Sequence, residues 1–298
     1  MGPGSGRDDV RQRIEAARRR LLASRALGPV AAVGMRFREI DGANQGVLIS
    51  VQLFTVFIPL MILGFGYLSG FAENISLGVI WIRELGLAGE SSDTVRDAFG
   101  TSDKLQAGWN VVGIAAFLVW GIPMAITVAG MFAKAWQREQ FGPGQRLVRG
   151  AAWLALYLVM TVVRERIAFG TDHDAAIAVL LFAASMVPVW AFWSLTPVLL
   201  VRDGGYGLRY LALAGLAGVV IDGILIPVLG RIAFPVVIDS WTEFGPIGVA
   251  MALITWCVAR GTGWVVTACV AAVLWERRAP TETVLAAQTA GTEPAESG

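Results

Sequence analysis

Six long apolar stretches dominate this sequence, and they constrain its fold more than any other feature. They lie near 46–72, 106–132, 147–167, 175–201, 209–235 and 246–275. The hydrocarbon core of a bilayer is about 30 Å thick, and a helix rising about 1.5 Å per residue crosses it in about 20 residues. Only 16% of the residues are charged, against about 25% in an average soluble domain. The sequence therefore predicts an all-α, polytopic integral membrane protein with about six transmembrane helices.

The third stretch is the least apolar of the six. Only the segment from Gly150 to Val163 is free of charge, which corresponds to about 21 Å of helix. Arg149 and Arg164 flank this segment, so a full crossing requires their side chains to reach the headgroups or the bilayer to thin locally.

Two ionisable residues, Asp222 and Arg260, stand near the middle of the last two stretches. A charge at mid-bilayer costs roughly 2.5–3.5 kcal/mol on insertion scales, so it is rarely kept without a partner or a function. The turn between the two stretches is predicted near 239–241, and both residues lie 19 positions from Trp241. Antiparallel packing would hold them at similar depth. We therefore predict a buried ion pair, which either locks two helices together or forms a binding contact on a path for substrate or protons.

Several residues that disfavour regular helix fall inside the stretches and are predicted helix interruptions. They are Pro59, Pro123, Pro197, Pro227, Gly261 and Gly263. Proline removes a backbone donor and kinks a helix, and discontinuous helices form the binding sites of many transporters. Proline and glycine are also common in ordinary membrane helices, so simple kinks are the alternative interpretation.

Tryptophan is frequent, with 11 residues. Some fall near the predicted membrane interfaces, where tryptophan anchors helices: Trp81, Trp109, Trp136, Trp241 and Trp275. Others fall deeper and either pack between helices or line an amphipathic cavity: Trp120, Trp190, Trp193 and Trp256.

Basic residues are distributed unevenly between the two predicted sides of the membrane. With the N-terminus inside, 17 Lys and Arg residues fall inside and 6 outside. Because basic residues concentrate on the cytoplasmic side, this distribution predicts that both termini are cytoplasmic and that the protein is multi-pass in a bacterial inner membrane.

The chain divides into three predicted regions. Residues 1–45 form a basic cytoplasmic region, 46–278 the six-helix transmembrane domain, and 279–298 a disordered cytoplasmic tail. Within the first region, 7–27 has the pattern of a basic amphipathic helix that contacts anionic lipids, a solvated charged helix being the alternative. The acidic outside segment 73–105 is predicted to lie partly at the outer interface.

Sequence patterns for catalysis are lacking. The sequence contains no Gly-x-Ser-x-Gly, Walker-type or His-Glu-x-x-His motif, and its single histidine, His173, stands in a short predicted loop. We therefore expect a protein that is not an enzyme and has no metal or other cofactor. The basic residues are interpreted as topology determinants and lipid contacts, so no nucleic-acid partner is expected.

Some of the apolar stretches resemble a known family. GANQGVLISVQLFTVFIPLMILG with Pro59, and the Gly-Pro-Ile-Gly entry at 245–248 followed by Trp256, are similar to the YihY/BrkB family of bacterial inner-membrane proteins. The similarity extends over about residues 35–278. Arg260 followed by Gly261 and Gly263 is not part of the family pattern, so nothing is carried over there.

The resemblance implies a six-helix membrane protein without a settled activity. The family is linked to envelope biogenesis and to lipid transport, and a ribonuclease label has been attached to it. That label fits this chain poorly because clustered acidic or histidine metal ligands are lacking.

Two functions are therefore expected from the sequence. One is the transport or flipping of a lipid or other amphiphile in envelope maintenance, and the other is a non-transporting scaffold. Expected partners are the lipid bilayer, a second copy of the chain or envelope proteins, which a scaffold would bind through 73–105.

Overall fold

The computed structural model describes residues 27–63, 110–168, 175–205, 208–241 and 246–279, and every regular element in these ranges is a helix. The helices are α1 (Leu27–Glu39), α2 (Gly42–Leu63), α3 (Asn110–Ala135), α4 (Pro143–Ala168), α5 (Ala175–Leu200), α6 (Leu208–Gly218), α7 (Ile226–Trp241) and α8 (Pro246–Arg278). A π-helical segment, Val219–Leu225, joins α6 to α7. The predicted all-α class is confirmed.

Five helical stretches are long and apolar enough to cross a membrane. They are Ala115–Ala135, Pro143–Arg164, Ala176–Leu200, Tyr210–Ala233 and Ala250–Arg278. They match the second to sixth predicted spans, so the chain is a multi-pass membrane protein. The stretch Pro143–Arg164, which matches the third predicted span, is the least apolar of the five, yet its helix α4 has 26 residues, or about 39 Å of helix. The first predicted span corresponds to α2, whose apolar part is the shorter Gly42–Phe57.

Large apolar side chains lie on the outside of the helices. Val179 on α5 and Ile232 on α7 are each 68% exposed, and Leu180 is 67% exposed. In water such a surface would promote aggregation, whereas in a bilayer it faces the acyl chains at no cost. The exposed apolar side chains therefore support the assignment of these helices as membrane spans.

Helix α8 is the centre of the bundle and packs against α1, α2, α3, α6 and α7. Its side chains at Trp264, Val265, Ala268 and Cys269 are completely buried. Small residues allow these helices to approach closely, as is usual in membranes, where there is no hydrophobic drive between helices.

The ends of several helices meet at what we call the basic end of the bundle, which contains Arg36, Arg138, Arg149, Arg202 and Arg277. There the Arg36 Nη2 atom donates to both carboxylate oxygens of Glu276 at 3.0 Å, and the Arg36 Nη1 atom donates to the Ala135 carbonyl. These bonds hold the ends of α1, α3 and α8 together. Burial lowers the pKa of Arg138, while Asp203 and Glu276 nearby act in the opposite direction.

The predicted position of one turn is wrong. The turn predicted near 239–241 is still helical, because α7 continues to Trp241 and α8 begins at Pro246. No glycine or proline follows Pro235 until Gly245, so nothing ends the helix earlier. The predicted boundary after residue 45 falls inside α2, which begins after the left-handed residue Asp41.

Other predictions concern segments outside the described residues. They are the interfacial segment 73–105, the loop with His173, the amphipathic helix predicted over 7–27 except for residue 27, and the tail 279–298 except for residue 279.

Candidate functional site

Asp222 lies on the π-helical segment in the middle of the fifth span. The Ile226 N–H bonds to the Ile221 carbonyl, five residues earlier, instead of the fourth. Pro227 follows directly and gives a physical reason, because its ring has no N–H and clashes with the carbonyl four residues before it in a regular α-helix. Single π turns of this kind are frequent at functional sites, since they change the direction of a side chain.

The predicted contact between the two central charges is present. Arg260 Nη2 lies 3.4 Å from Asp222 Oδ1, and the side chains are only 8% and 1% exposed respectively. Arg260 is on α8, where it lies 16 residues before Glu276 at the basic end, or about 24 Å along the helix. The pair is therefore buried at mid-span, between the π-helical segment and the central helix.

Two tryptophans donate hydrogen bonds to Asp222, one to each carboxylate oxygen. Trp264 Nε1 donates to Oδ1 at 3.2 Å, and Trp193 Nε1 donates to Oδ2 at 3.4 Å. Trp264 is on α8 and Trp193 on α5, so the carboxylate connects three parts of the bundle. These donors favour the charged carboxylate and reduce the cost of burying it.

The Arg260 guanidinium lies against aromatic rings. Its Cζ atom is 4.7 Å from the centroid of the Trp256 ring and 5.9 Å from that of Tyr157. An arginine over an aromatic face is attracted by the ring quadrupole, and the attraction is stronger where water is excluded. Both charges are therefore stabilised by groups besides each other.

Aromatic side chains form a continuous group beside the ion pair, here called the aromatic cluster: Trp153, Tyr157, Phe192, Trp193 and Trp264. Trp264 packs edge-on against Trp153 and Tyr157, with centroids 5.6 and 5.3 Å apart. Trp153 Nε1 in turn donates to the Thr196 hydroxyl at 3.2 Å. The cluster joins α4, α5 and α8 with amphipathic rings.

Glycines allow neighbouring helices to approach closely around the ion pair. A Cβ atom on Gly218 would lie 2.1 Å from the ring of Trp193, the residue that donates to Asp222. A Cβ atom on Gly261 would lie 2.6 Å from the backbone oxygen of Gly46 on α2. A larger residue at Gly218 would therefore displace Trp193, and one at Gly261 would push α2 away from α8.

Most of the residues predicted to interrupt helices do not interrupt them. Helix α8 runs through Gly261 and Gly263 without a break, and Pro59, Pro123 and Pro197 lie inside continuous α-helices. A single proline removes one donor from the ladder, and neighbouring groups in a packed bundle preserve the rest. Gly261 and Gly263 are contact points, against α2 and Ile226 respectively. Only Pro227 adjoins a change of helix type.

Sequence reasoning missed some of the residues around the pair. Trp264 was not singled out, although it stands four residues after Arg260, as Trp256 stands four before it. Residues four apart share a helix face, so this spacing was a usable signal. Nothing in the sequence indicates that Trp153 and Tyr157 on α4 lie beside the same face. Trp193, predicted to be deep, is indeed buried and is a donor to Asp222.

The arrangement around Asp222 and Arg260 offers opposite charges and hydrogen-bond donors. In the described ranges, no group of three or more His, Cys, Asp or Glu side chains is placed to hold a metal ion. If α8 moved away from the π-helical segment, Asp222 and Arg260 would each be able to pair with an oppositely charged group of a ligand. Comparison with protein-family models, curated proteins and solved structures found no match for this chain.

Proposed function

We propose that this protein moves a lipid or another amphiphile across the bacterial inner membrane, with both of its termini cytoplasmic. The observation that carries the proposal is the Asp222–Arg260 pair, two opposite charges buried at mid-span with one of them on a π-helical segment. Such residues are expensive in a membrane and commonly mark the path of a transported group.

The pair is closed in this conformation, so movement of a substrate requires it to open. We expect the opening to occur at the π-helical segment. Its hydrogen bonds are not those of a regular α-helix, and Pro227 has no N–H group with which to restore the regular pattern. A separation of α8 from this segment would expose an arginine, a carboxylate and the aromatic cluster together. These groups suit a substrate with a charged headgroup and an apolar body.

The resemblance to the YihY/BrkB family supports the same proposal, since that family is linked to lipid transport. The scaffold hypothesis is the competing proposal, and the pair would then serve only to lock α8 to the rest of the bundle.

Reconstitution into liposomes tests the proposal. Fluorescent lipids in the inner leaflet should become accessible to an external quencher faster with protein than without it. Asp222→Asn should remove most of this acceleration, because the amide loses the charge and keeps one acceptor oxygen in place of two. Glu276→Gln, which alters an ion pair at the basic end, is the matched control and should retain it.

The result has two clear alternatives. No acceleration by folded wild-type protein for any lipid class would contradict lipid movement and leave the locking role. Acceleration that is equal in Asp222→Asn and wild type would show that the central pair is not on the path.

A further inference from the structure

A cavity of about 740 Å³ lies at the basic end, well separated from the Asp222–Arg260 pair along the bundle. Its volume falls within the range of about 300–1,000 Å³ typical of small-ligand sites. Its walls are the turn before α4, the first turns of α4 and the end of α5 with the turn that follows it. Two candidate spans begin or end here, at Pro143 and Leu200, so the cavity lies at the depth of lipid headgroups.

Arg149 is the best-positioned cation of this cavity. Its Nη1 atom donates to the Val198 and Leu199 carbonyls, each at 3.3 Å, and its guanidinium lies 4.1 Å from the centroid of the Phe141 ring. These contacts fix the plane of the guanidinium before any ligand arrives. An arginine has five N–H donors, so Nη2 and Nε keep the capacity to bind a phosphate.

The start of α4 adds to the attraction for an anion. Pro143 has no N–H, and the N–H groups of Gly144 and Gln145 precede the first closed helical turn. Such groups, with the helix dipole, favour a phosphate at this position. Both residues line the cavity, and a Cβ atom on Gly144 would meet no atom within 4 Å, so a ligand can approach this backbone.

Asp203 adds a negatively charged side chain to the lining of the cavity, in addition to the positive charge of Arg149. Its Oδ2 atom is buried and accepts no hydrogen bond from the described residues, although Arg202 Nε lies 3.9 Å away. A buried carboxylate oxygen without a donor is costly. A ligand with an N–H group next to its phosphate would satisfy it, while the phosphate occupies the side of Arg149.

We propose that this cavity binds a phosphoethanolamine group, either as the headgroup of a phospholipid or as a free small molecule. The phosphate contacts Arg149 and the first N–H groups of α4, and the primary ammonium faces Asp203. The inference rests on the cavity and does not depend on lipid movement through the centre of the bundle.

Native mass spectrometry of the full chain in detergent measures the binding directly. Phosphatidylethanolamine, phosphatidylcholine and free phosphoethanolamine are the probes, and variants of different mass compete for one probe in the same sample. Arg149→Gln should weaken phosphatidylethanolamine binding about tenfold, as expected for loss of a charge-assisted hydrogen bond. Arg277→Gln, which removes an exposed charge at the same end outside the cavity, should bind like wild type.

A second pair of variants protects the test against a folding defect in Arg149→Gln. Gly144→Glu places a carboxylate at the start of α4, which suits the helix dipole but repels a phosphate. Gly144→Gln has nearly the same shape without the charge. We expect Gly144→Glu to lose binding by a larger factor than Gly144→Gln, with both proteins folded.

The probes also identify the source of the group. Binding of phosphatidylethanolamine alone supports a lipid headgroup, and binding of phosphoethanolamine as well supports a free ligand. Equal binding of phosphatidylcholine, which has no N–H donor, would overturn the role of Asp203. Binding of neither ethanolamine probe, or equal losses in Arg149→Gln and Arg277→Gln, would overturn the proposal.

Discussion

At the scale of single residues, the central finding is that Asp222 has three partners and not one. Arg260 supplies the opposite charge, and the indoles of Trp193 and Trp264 supply hydrogen bonds to separate oxygens. Loss of the arginine therefore differs from loss of the aspartate. Without Arg260 the carboxylate keeps two neutral donors, whereas without an acceptor at 222 two buried indole N–H groups lose their bonds.

A mutant cycle at this pair tests that difference. Arg260→Leu should lower the free energy of unfolding by about 3–5 kcal/mol, because it leaves a buried carboxylate without its cation. Asp222→Asn combined with Arg260→Leu should be milder, since no unpaired charge is left buried and the amide oxygen still accepts from one of the indoles. Thermal unfolding of purified protein in detergent measures both.

A surface pair provides the control for this cycle. Glu139, which is 67% exposed, pairs with Arg202 at 3.2 Å. Glu139→Gln should change the free energy of unfolding by less than about 1 kcal/mol. Single and double variants at the central pair that all unfold like wild type would contradict a stabilising ion pair.

At the scale of helices, the contact between α2 and α8 is set by two glycines. Gly261→Ala would place a Cβ atom 2.6 Å from the Gly46 carbonyl oxygen, and a backbone atom cannot move away without moving its helix. We expect a loss of about 1–3 kcal/mol in the free energy of unfolding, as for other overpacked sites.

The matched control is a glycine with space around it. Gly34 lies inside α1, and a Cβ atom there meets nothing within 4 Å. Gly34→Ala should raise the free energy of unfolding by up to about 1 kcal/mol, because alanine favours helix over glycine. Equal behaviour of the two variants in thermal unfolding would rule out close packing as the role of Gly261.

The π-helical segment is the second feature at this scale. Pro227→Ala restores an N–H group and removes the ring, so the segment can return towards regular α-helix. Asp222 would then rotate relative to Arg260. We expect the coupling energy of the Asp222–Arg260 cycle to fall in the Pro227→Ala background, as measured by the same unfolding experiment.

An unchanged coupling energy would show that neighbouring helices, and not the proline, hold the π-helical segment. The native Pro227 protein provides the reference cycle under identical detergent and temperature conditions.

At the scale of the whole molecule, the uneven distribution of basic residues along the sequence predicts the orientation of the bundle. From the excess of basic residues on one predicted side, we expect the basic end to lie in the cytoplasm. Cysteine labelling tests this, because the native Cys257 and Cys269 are both buried and can be replaced by alanine.

Two exposed positions at opposite ends suit the labelling. Gly205 lies at the basic end after α5, and Ala176 lies at the start of α5. A membrane-impermeant maleimide should label Ala176→Cys in intact spheroplasts, and Gly205→Cys only after the membrane is opened. The reverse pattern would invert the topology, and labelling of both in closed spheroplasts would contradict a membrane span between them.

The amino-acid sequence by itself determined the class of fold, the positions of five spans and the meeting of Asp222 with Arg260. The spans follow from the length of each apolar stretch, and the pairing follows from the cost of leaving a lone charge in lipid. Both can be read from the sequence without knowing how the helices pack. The sequence also contains the signal for two of the aromatic neighbours, because Trp256 and Trp264 each stand four residues from Arg260 and so share its helix face.

Tertiary structure alone decided what surrounds the pair. That α4 and α5 bring the aromatic cluster to Asp222 depends on packing between helices distant in sequence, which no local pattern encodes. Packing also made Gly261 a contact instead of a break, because a helix inside a bundle is held by its neighbours. The cavity at the basic end has the same origin, since its walls come from the ends of separate helices.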